Sequence, residues 1–334
     1  MKTLITGGTG FVGLNVAEEL LRGGEDVILF SDSELMAYAL QKLSALPGTL
    51  KTVRADIADR AAVDAAFAEH QPDRVVHAAV ITAGEQRELR DFDRIIDVNI
   101  KGTGHVLSAA AKHGARRVVY VSSGSAYGLA LLDGTTVSEE TPPQPDTLYS
   151  ITKFASERLC ARVRWLRGLD VVCARLGSVF GPWERDAGVR DMLSLPFQIV
   201  RLAMAGEEVI LPRREARRDW IYSRDVAAGI VALLYADALR YDVYNVAAGT
   251  GWPRFAENLC SRLRPIFPTL RYRISSADEA PNVSFLGDRD RSMMSVERLS
   301  SDTGFRPTFD HGKAFDDYVA WLGGNRDYYD TRRR

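Results

Sequence analysis

Through the first half of the chain, short runs of β-branched and aliphatic residues alternate with longer stretches whose apolar positions recur every three to four residues. The short runs predict strands at Lys2–Thr6, Asp26–Phe30, Lys51–Ala55, Arg74–His77, Arg117–Ser122 and Asp170–Arg175. The helical periods between them fall near Phe11–Leu21, Ser33–Leu46, Ala61–Ala68, Phe92–His113 and Tyr149–Arg167. Strand and helix alternating at this spacing build crossover units, so the expected architecture is α/β, a doubly wound parallel sheet with helices on both faces. The runs VVH at Val75–His77 and RRVVYVSS ending at Ser123 are continuously apolar rather than alternating, as strands covered on both faces should be.

After Gly181 the pattern loosens, with Gly, Pro and Arg scattered between Pro182 and Arg218 and again between Pro253 and Pro307. These two segments predict a smaller, discontinuous α/β lobe. The piece between them, helix Arg224–Tyr235 and strand Asp242–Val246, reads as one more βα element returning to the main sheet. The expected division is therefore a nucleotide-binding domain of residues 1–178 and 223–250, and a substrate-binding lobe of residues 179–222 and 251–330. The terminal Arg332–Arg334 reads as a solvated tail.

With 46% hydrophobic and 26% charged residues over 334 positions, the chain can bury a large core. Lys plus Arg number 43 against 44 Asp plus Glu, so no whole-chain basic field exists to hold nucleic acid or an anionic membrane. Cys160, Cys173 and Cys260 are too widely spaced for a metal-ligand pair or a disulfide framework, and all three read as packing residues. The first strand begins at Lys2 with no charged and apolar leader ahead of it, and no apolar stretch is long enough to span a bilayer, so the expected location is the cytoplasm.

The strand Lys2–Thr6 runs directly into Gly7-Gly8-Thr9-Gly10-Phe11-Val12-Gly13, in which Gly8, Gly10 and Gly13 satisfy G-x-G-x-x-G. Glycine allows a tight turn with positive φ, lets backbone touch a pyrophosphate, and lets helix pack closely on strand. The helix that follows aims its N-terminal dipole at the anion. A glycine-rich turn between a buried strand and an amphipathic helix predicts dinucleotide binding. The second strand ends at Phe30 and is followed by Ser31-Asp32, about where an acid hydrogen-bonds the adenosine ribose. A carboxylate there repels the 2′-phosphate of NADP and favours NAD, with NADP as the alternative. Asp32 has a second reading, as the N-cap of the Ser33–Leu46 helix.

Tyr149 and Lys153 lie four residues apart at the start of a helical segment and so share one face. Tyrosine is a poor base at neutral pH, but an adjacent ammonium stabilises its phenolate, which then takes a proton from a substrate hydroxyl. Upstream, the strand carrying RRVVYVSS ends in Ser122-Ser123-Gly124-Ser125, which puts small hydroxyls at the carboxyl edge of the sheet, where open α/β folds bind ligands.

In these motifs the chain resembles the extended short-chain dehydrogenase/reductases of the NAD-dependent epimerase/dehydratase family, which have a Rossmann dinucleotide-binding fold. TGGTGFVG, ADI at Ala55–Ile57, VVHAA at Val75–Ala79, DVNIKGT at Asp97–Thr103, VSSGSAYG, YSITKFASE, RLGSVFGP at Arg175–Pro182, RDWIYSRDVA at Arg218–Ala227 and YNVAAG at Tyr244–Gly249 follow the family's order. The resemblance implies that Gly7, Gly10 and Gly13, with Phe11 and Val12, hold the pyrophosphate. It implies further that Asp56 and Ile57 flank the adenine, that Ala78 and Ala79 line the cofactor groove, and that Asn99 supports the helix bearing Tyr149. Lys153 would also bond the nicotinamide ribose, and Ser123, rather than Ser122, would share the reacting oxygen with Tyr149. A homodimer through the Phe92–His113 and Tyr149–Arg167 helices is likewise implied.

Such enzymes oxidise a secondary alcohol and differ in what the ketone does next. Members that dehydrate or decarboxylate have an acid directly after the catalytic hydroxyl, where this chain has Gly124. Members that enolise carry a Cys/His pair, and no cysteine here falls in the matching motifs. The leading expectation is a nucleotide-sugar 4-epimerase, and the alternative is a net dehydrogenase of a small sugar, lactone or sugar acid. An NAD-sensing regulator is the remote third. Arg218 in RDWIY resembles the diphosphate clamp, with Arg213, Arg214 and Arg217 beside it, and Ser125 and Ser178 fall where substrate should lie. Arg185 and Arg190 beside Trp183 are the alternative anion seats. Ser178 and Phe285 depart from the nucleotide-sugar pattern, which commonly has Asn and Arg there.

Overall fold

The computed structural model describes residues 1–186, 191, 193–285 and 289–329. Arg190 and the Arg332–Arg334 tail lie outside the described residues.

The chain begins β1 (Lys2–Thr6), α1 (Phe11–Arg22), β2 (Asp26–Ser31), α2 (Ala37–Ser44), β3 (Thr49–Arg54), α3 (Arg60–His70) and β4 (Arg74–His77). It continues with α4 (Glu85–Ile96), α5 (Thr103–Lys112), β5 (Arg117–Ser123), α6 (Leu148–Arg167) and β6 (Val171–Leu176). A seven-stranded sheet results when β10 (Val243–Val246) joins beyond β6, in the order β10-β6-β5-β4-β1-β2-β3, and every pairing is parallel. The late strand thus returns to the main sheet as its sequence predicts. Strand order reverses beside β1, whose neighbours are β2 on one side and β4 on the other, and a crevice opens there at the carboxyl ends.

Two of the predicted helices differ from expectation. The helix expected over Ser33–Leu46 is only Ala37–Ser44, because Ser33 is held back by hydroxyl contacts: Thr9 Oγ1 lies 2.8 Å from Ser31 Oγ and 3.0 Å from Ser33 Oγ. The helix expected over Phe92–His113 is three pieces, α4, a π-helical turn at Asp97–Gly102, and α5. It starts early because Gly84 serves as N-cap and Glu85 and Glu88 occupy the first turn, where acids suit the helix dipole.

Past β6 come β7 (Ser178–Phe180), α7 (Leu195–Ala205), β8 (Val209–Leu211), β9 (Trp220–Tyr222) and α8 (Ser223–Tyr235), and after β10, α9 (Phe255–Leu263) and β11 (Tyr272–Ile274). Helices α10 (Glu297–Thr303) and α11 (His311–Gly324) follow. Strand β7 pairs with β9, and β8 with β11, making two small ribbons outside the main sheet. Phe180 is the hub here, with the rings of Trp220, Tyr222, Trp252, Phe255, Phe315 and Tyr318 at 5.3–6.2 Å. The apolar cluster on one face of the sheet runs on through these aromatics, so the small ribbons are packed against the sheet through a continuous core. Cys160, Cys173 and Cys260 are all buried with free thiols. No helix among the described residues is long and apolar enough to cross a membrane.

Candidate active site

A cleft of about 740 Å³ occupies the crevice at the strand-order reversal, bounded on its far side by β7, β9 and the segment 291–294. At its floor, β1 turns through Gly7 with φ +63°, a conformation L side chains rarely adopt. A Cβ on Gly7 would lie 2.7 Å from the backbone of Ala79, and a Cβ on Gly13 would strike the carbonyl of Gly7. Only glycine therefore lets the ends of β1 and β4 and the start of α1 meet this closely. Gly7, Gly10 and Gly13 line the cleft, whereas Gly8 faces Leu29, where a Cβ would come within 2.8 Å. The N-cap of α1 is Gly10, which brings no side chain over that helix end. Bare backbone at a helix N-terminus, with Phe11 and Val12 beside it in the wall, fits a pyrophosphate.

Farther along, Asp32 is exposed at the cleft just past the end of β2. It does not cap α2, whose N-cap is Met36, so the capping reading is set aside. Asp56 and Ile57 line the same end; Asp56 accepts from Ala58 N at 2.8 Å and from Arg94 Nη2 at 2.6 Å. The cap of α3 is Asp59, which leaves Asp56 at the wall. Ala78 and Ala79 form the small-residue side of the groove.

Asn99 stands behind the wall rather than among the residues that line the cleft. Its side chain accepts from Ile81 N at 2.8 Å and donates to Ile81 O and Thr152 Oγ1, both at 3.0 Å. The π-helical turn thus ties the segment after β4 to α6, the helix that bears Tyr149.

Tyr149, Lys153 and Ser123 converge at the middle of the cleft. Helix α6 starts with a capping box in which Thr147 and Ser150 satisfy each other's backbone, and this fixes Tyr149 in the first turn. Lys153 is 2% exposed, donates to Val121 O at 2.6 Å, and holds its Nζ 5.9 Å from the centre of the Tyr149 ring. Burial pulls its pKa down to about 7, against the opposing pull of Glu157. Ser122 and Ser123 have different fates. Ser122 donates to Glu157 Oε1 at 2.6 Å, and Glu157 is doubly bound by Arg175 at 2.9 and 2.6 Å, all of it buried. Ser123 keeps its hydroxyl at the cleft, where it accepts from Ser125 N at 3.1 Å.

Ser125, Ser178 and Arg185 line the substrate end. Arg218 does not. Its guanidinium is buried and donates to the carbonyls of Phe285, Arg217 and Arg289 at 3.0, 2.8 and 2.5 Å, so the expected diphosphate clamp holds the protein's own backbone instead. Its neighbour Asp219 does reach the cleft and accepts from Ala248 N, Gly249 N and Met294 N; burial pushes its pKa up to about 6. Three further groups in the wall escaped sequence reasoning: Glu88, which accepts from Tyr149 N at 3.4 Å, Asp146 and Arg291. Glu88 lies at i+3 from Glu85 on a helix whose start was misplaced, and Arg291 sits in an irregular segment with no periodic signal.

Taken together, the arrangement places a phenol, a buried ammonium and a free hydroxyl beside a pyrophosphate-shaped turn, a set suited to moving the proton of an alcohol next to a bound dinucleotide. Comparison with known proteins agrees. A family model described as NAD dependent epimerase/dehydratase family matches residues 3–247. A dTDP-glucose 4,6-dehydratase from an Actinoplanes species is 27% identical, covering 98% of this chain and 100% of the relative. A UDP-glucose 4-epimerase from Bacillus subtilis is 28% identical over 75% of this chain and 78% of its own. Among solved structures, the Thermus thermophilus UDP-glucose 4-epimerase in complex with NAD superposes with a TM-score of 0.78 at 25% identity, covering 97% of this chain and 100% of that one.

Proposed function

Because this chain belongs to the NAD-dependent epimerase/dehydratase family, we propose that it is a nucleotide-sugar 4-epimerase that works by transient oxidation of a ring hydroxyl to a ketone. The observation that carries the chemistry is the convergence of Ser123, Tyr149 and Lys153 in the cleft that begins at the glycine turn. Tyr149 accepts the hydroxyl proton, Ser123 hydrogen-bonds the same oxygen, and the Lys153 ammonium beside the ring favours the phenolate. NAD, when bound, supplies the hydride acceptor and donor. Gly7, Gly10, Phe11, Val12 and Gly13 would hold its pyrophosphate, Asp32 its ribose, and Asp56 and Ile57 its adenine end, with Ala78 and Ala79 along the groove.

The Actinoplanes relative is a dehydratase, but the position after Ser123 weighs against elimination here. It is Gly124, which brings no acid to the cleft, and Met294 Sδ and Leu176 O lie 2.8 and 3.2 Å from where its Cβ would be. Incubating the protein with NAD and UDP-glucose, and separately with free sugars and sugar acids, tests the proposal. Interconversion of the UDP-sugar without net NADH is expected. Net NADH from a free sugar would put the small-substrate dehydrogenase in its place, a reading favoured by the diversion of Arg218 away from the cleft.

The assembly we infer is a homodimer through α4, α5 and α6. Leu89 and Phe92 on α4 are 77% and 54% exposed, and Ile151 on α6 is 45% exposed, more apolar surface than a solvated helix pair needs.

A further inference from the structure

Arg185 and Arg291 are the two partly buried cations in the cleft wall, among the described residues, that make no side-chain hydrogen bond or ion pair, whereas Arg94 is paired with Asp56; Arg291 lies in the segment that packs beside Ser123. Its backbone is held firmly. Arg291 N donates to Arg217 O at 3.0 Å, Ser292 N to Leu131 O at 2.7 Å, and Met294 N to Asp219 Oδ2 at 2.9 Å. Met294 in turn packs on Gly124, directly after Ser123. The segment that carries Arg291 into the cleft wall is therefore anchored beside Gly124 and Ser123 rather than at the glycine turn. Burial pulls the guanidinium below an ordinary arginine, and the charge that opposes this is Asp146, which makes no hydrogen bond to it and lies three residues before Tyr149. The planar fork of five N–H donors faces the cleft with no protein acceptor and is open to one that a ligand supplies. The geometry that satisfies such a fork is a pair of anionic oxygens, bound side by side.

We propose that Arg291 seats a carboxylate carried by the sugar ring that is oxidised, so that the substrate is a sugar acid, here a nucleotide-linked one. The inference rests on the proposed function for the location of the reacting ring, beside Ser123 and Tyr149. An anion at that end belongs to the ring itself, whereas the diphosphate of a nucleotide sugar hangs from the opposite side. Serine and backbone groups at Ser125 and Ser178 suffice for neutral hydroxyls; a guanidinium is not needed for them.

Binding to the NAD-loaded protein, followed by calorimetry and thermal shift, tests this with four probes: UDP, UDP-glucose, UDP-glucuronic acid and free glucuronate. Wild type should bind UDP-glucuronic acid at least tenfold more tightly than UDP-glucose. Arg291→Gln should abolish that preference while leaving UDP affinity within about twofold, and Arg291→Lys should restore part of it. Equal affinity of wild type for the two UDP-sugars overturns the proposal, as does a preference that survives in Arg291→Gln. If the Gln variant fails to fold, the wild-type ratio alone decides. Binding of free glucuronate with no response to UDP would sink the nucleotide-sugar reading and leave the carboxylate seat standing. Binding of UDP and UDP-glucose with no gain from the carboxylate would do the reverse.

Discussion

At the scale of single residues, two neighbouring serines divide structure from chemistry. Ser122 is spent on the buried Glu157–Arg175 pair, and Ser123 is left with its hydroxyl at the cleft opposite Tyr149. Tyr149→Phe should keep the fold and NAD binding while lowering kcat by about two orders of magnitude, the scale of a lost general base. A variant retaining more than about a tenth of wild-type turnover would put the proton acceptor elsewhere. Lys153 offers a pH test. Its pKa is near 7 in the fold and near 10.5 in the unfolded chain, so between those values the unfolded state binds more protons and stability rises with pH. Below pH 7 both states are charged and the full cost of burying the ammonium is present. Urea unfolding of the apoprotein should show wild type gaining about 2 kcal/mol relative to Lys153→Met between pH 7 and 9. Parallel profiles would mean that Lys153 stays charged in the fold. For the cofactor, Asp32 at the cleft predicts NAD at least about tenfold tighter than NADP by fluorescence titration, with the discrimination lost in Asp32→Ala. Unchanged discrimination in that variant would remove Asp32 from the ribose site.

At the scale of elements, α6 is fastened from both sides. Its first turn is closed by the Thr147–Ser150 box, its middle by Asn99 on Thr152, and its buried face by Glu157 on Arg175 of β6. The last of these is a fully buried ion pair, with side chains 2% and 4% exposed. Removing one partner strands the other charge, so Glu157→Gln should cost about 3 kcal/mol in unfolding free energy. A loss below about 1 kcal/mol would show that Arg175 finds other acceptors in the core. The sequence shows the YxxxK spacing on α6 but not the Asn99 and Arg175 fastenings, because they join residues 53 and 18 positions apart that no local pattern relates.

At the scale of the whole molecule, the site exists because strand order reverses beside β1 and because a late strand, β10, returns to the sheet beyond β6. That return fixes β7, β9 and the 291–294 segment over the carboxyl ends and closes the cleft's far wall. The helices on the outer face leave Leu89, Phe92 and Ile151 in solvent. A homodimer in sedimentation velocity is therefore expected for wild type, with Phe92→Asp shifted to monomer and its fold intact by circular dichroism. A wild-type monomer at micromolar concentration would remove the assembly from the proposal.

Local information is strongest where one segment does its work alone. Hydrophobic periodicity determined the strands of the sheet and their order of appearance, and the glycine turn needed only its own backbone to be recognisable, since positive φ and a bare helix N-terminus are properties of a few consecutive residues. The YxxxK pair was legible for the same reason, lying on one face of one helix. Arg218 was misread because a motif names a residue but not its hydrogen-bond partners; whether its guanidinium faces a ligand or three backbone carbonyls depends on where residues 285 and 289 come to rest. Arg291 was invisible for the converse reason, an arginine in an irregular stretch among many. Only the tertiary structure decided which of the chain's arginines face the cleft without a protein partner, because a place in the wall and the lack of a partner are properties of the assembled fold and not of any segment within it.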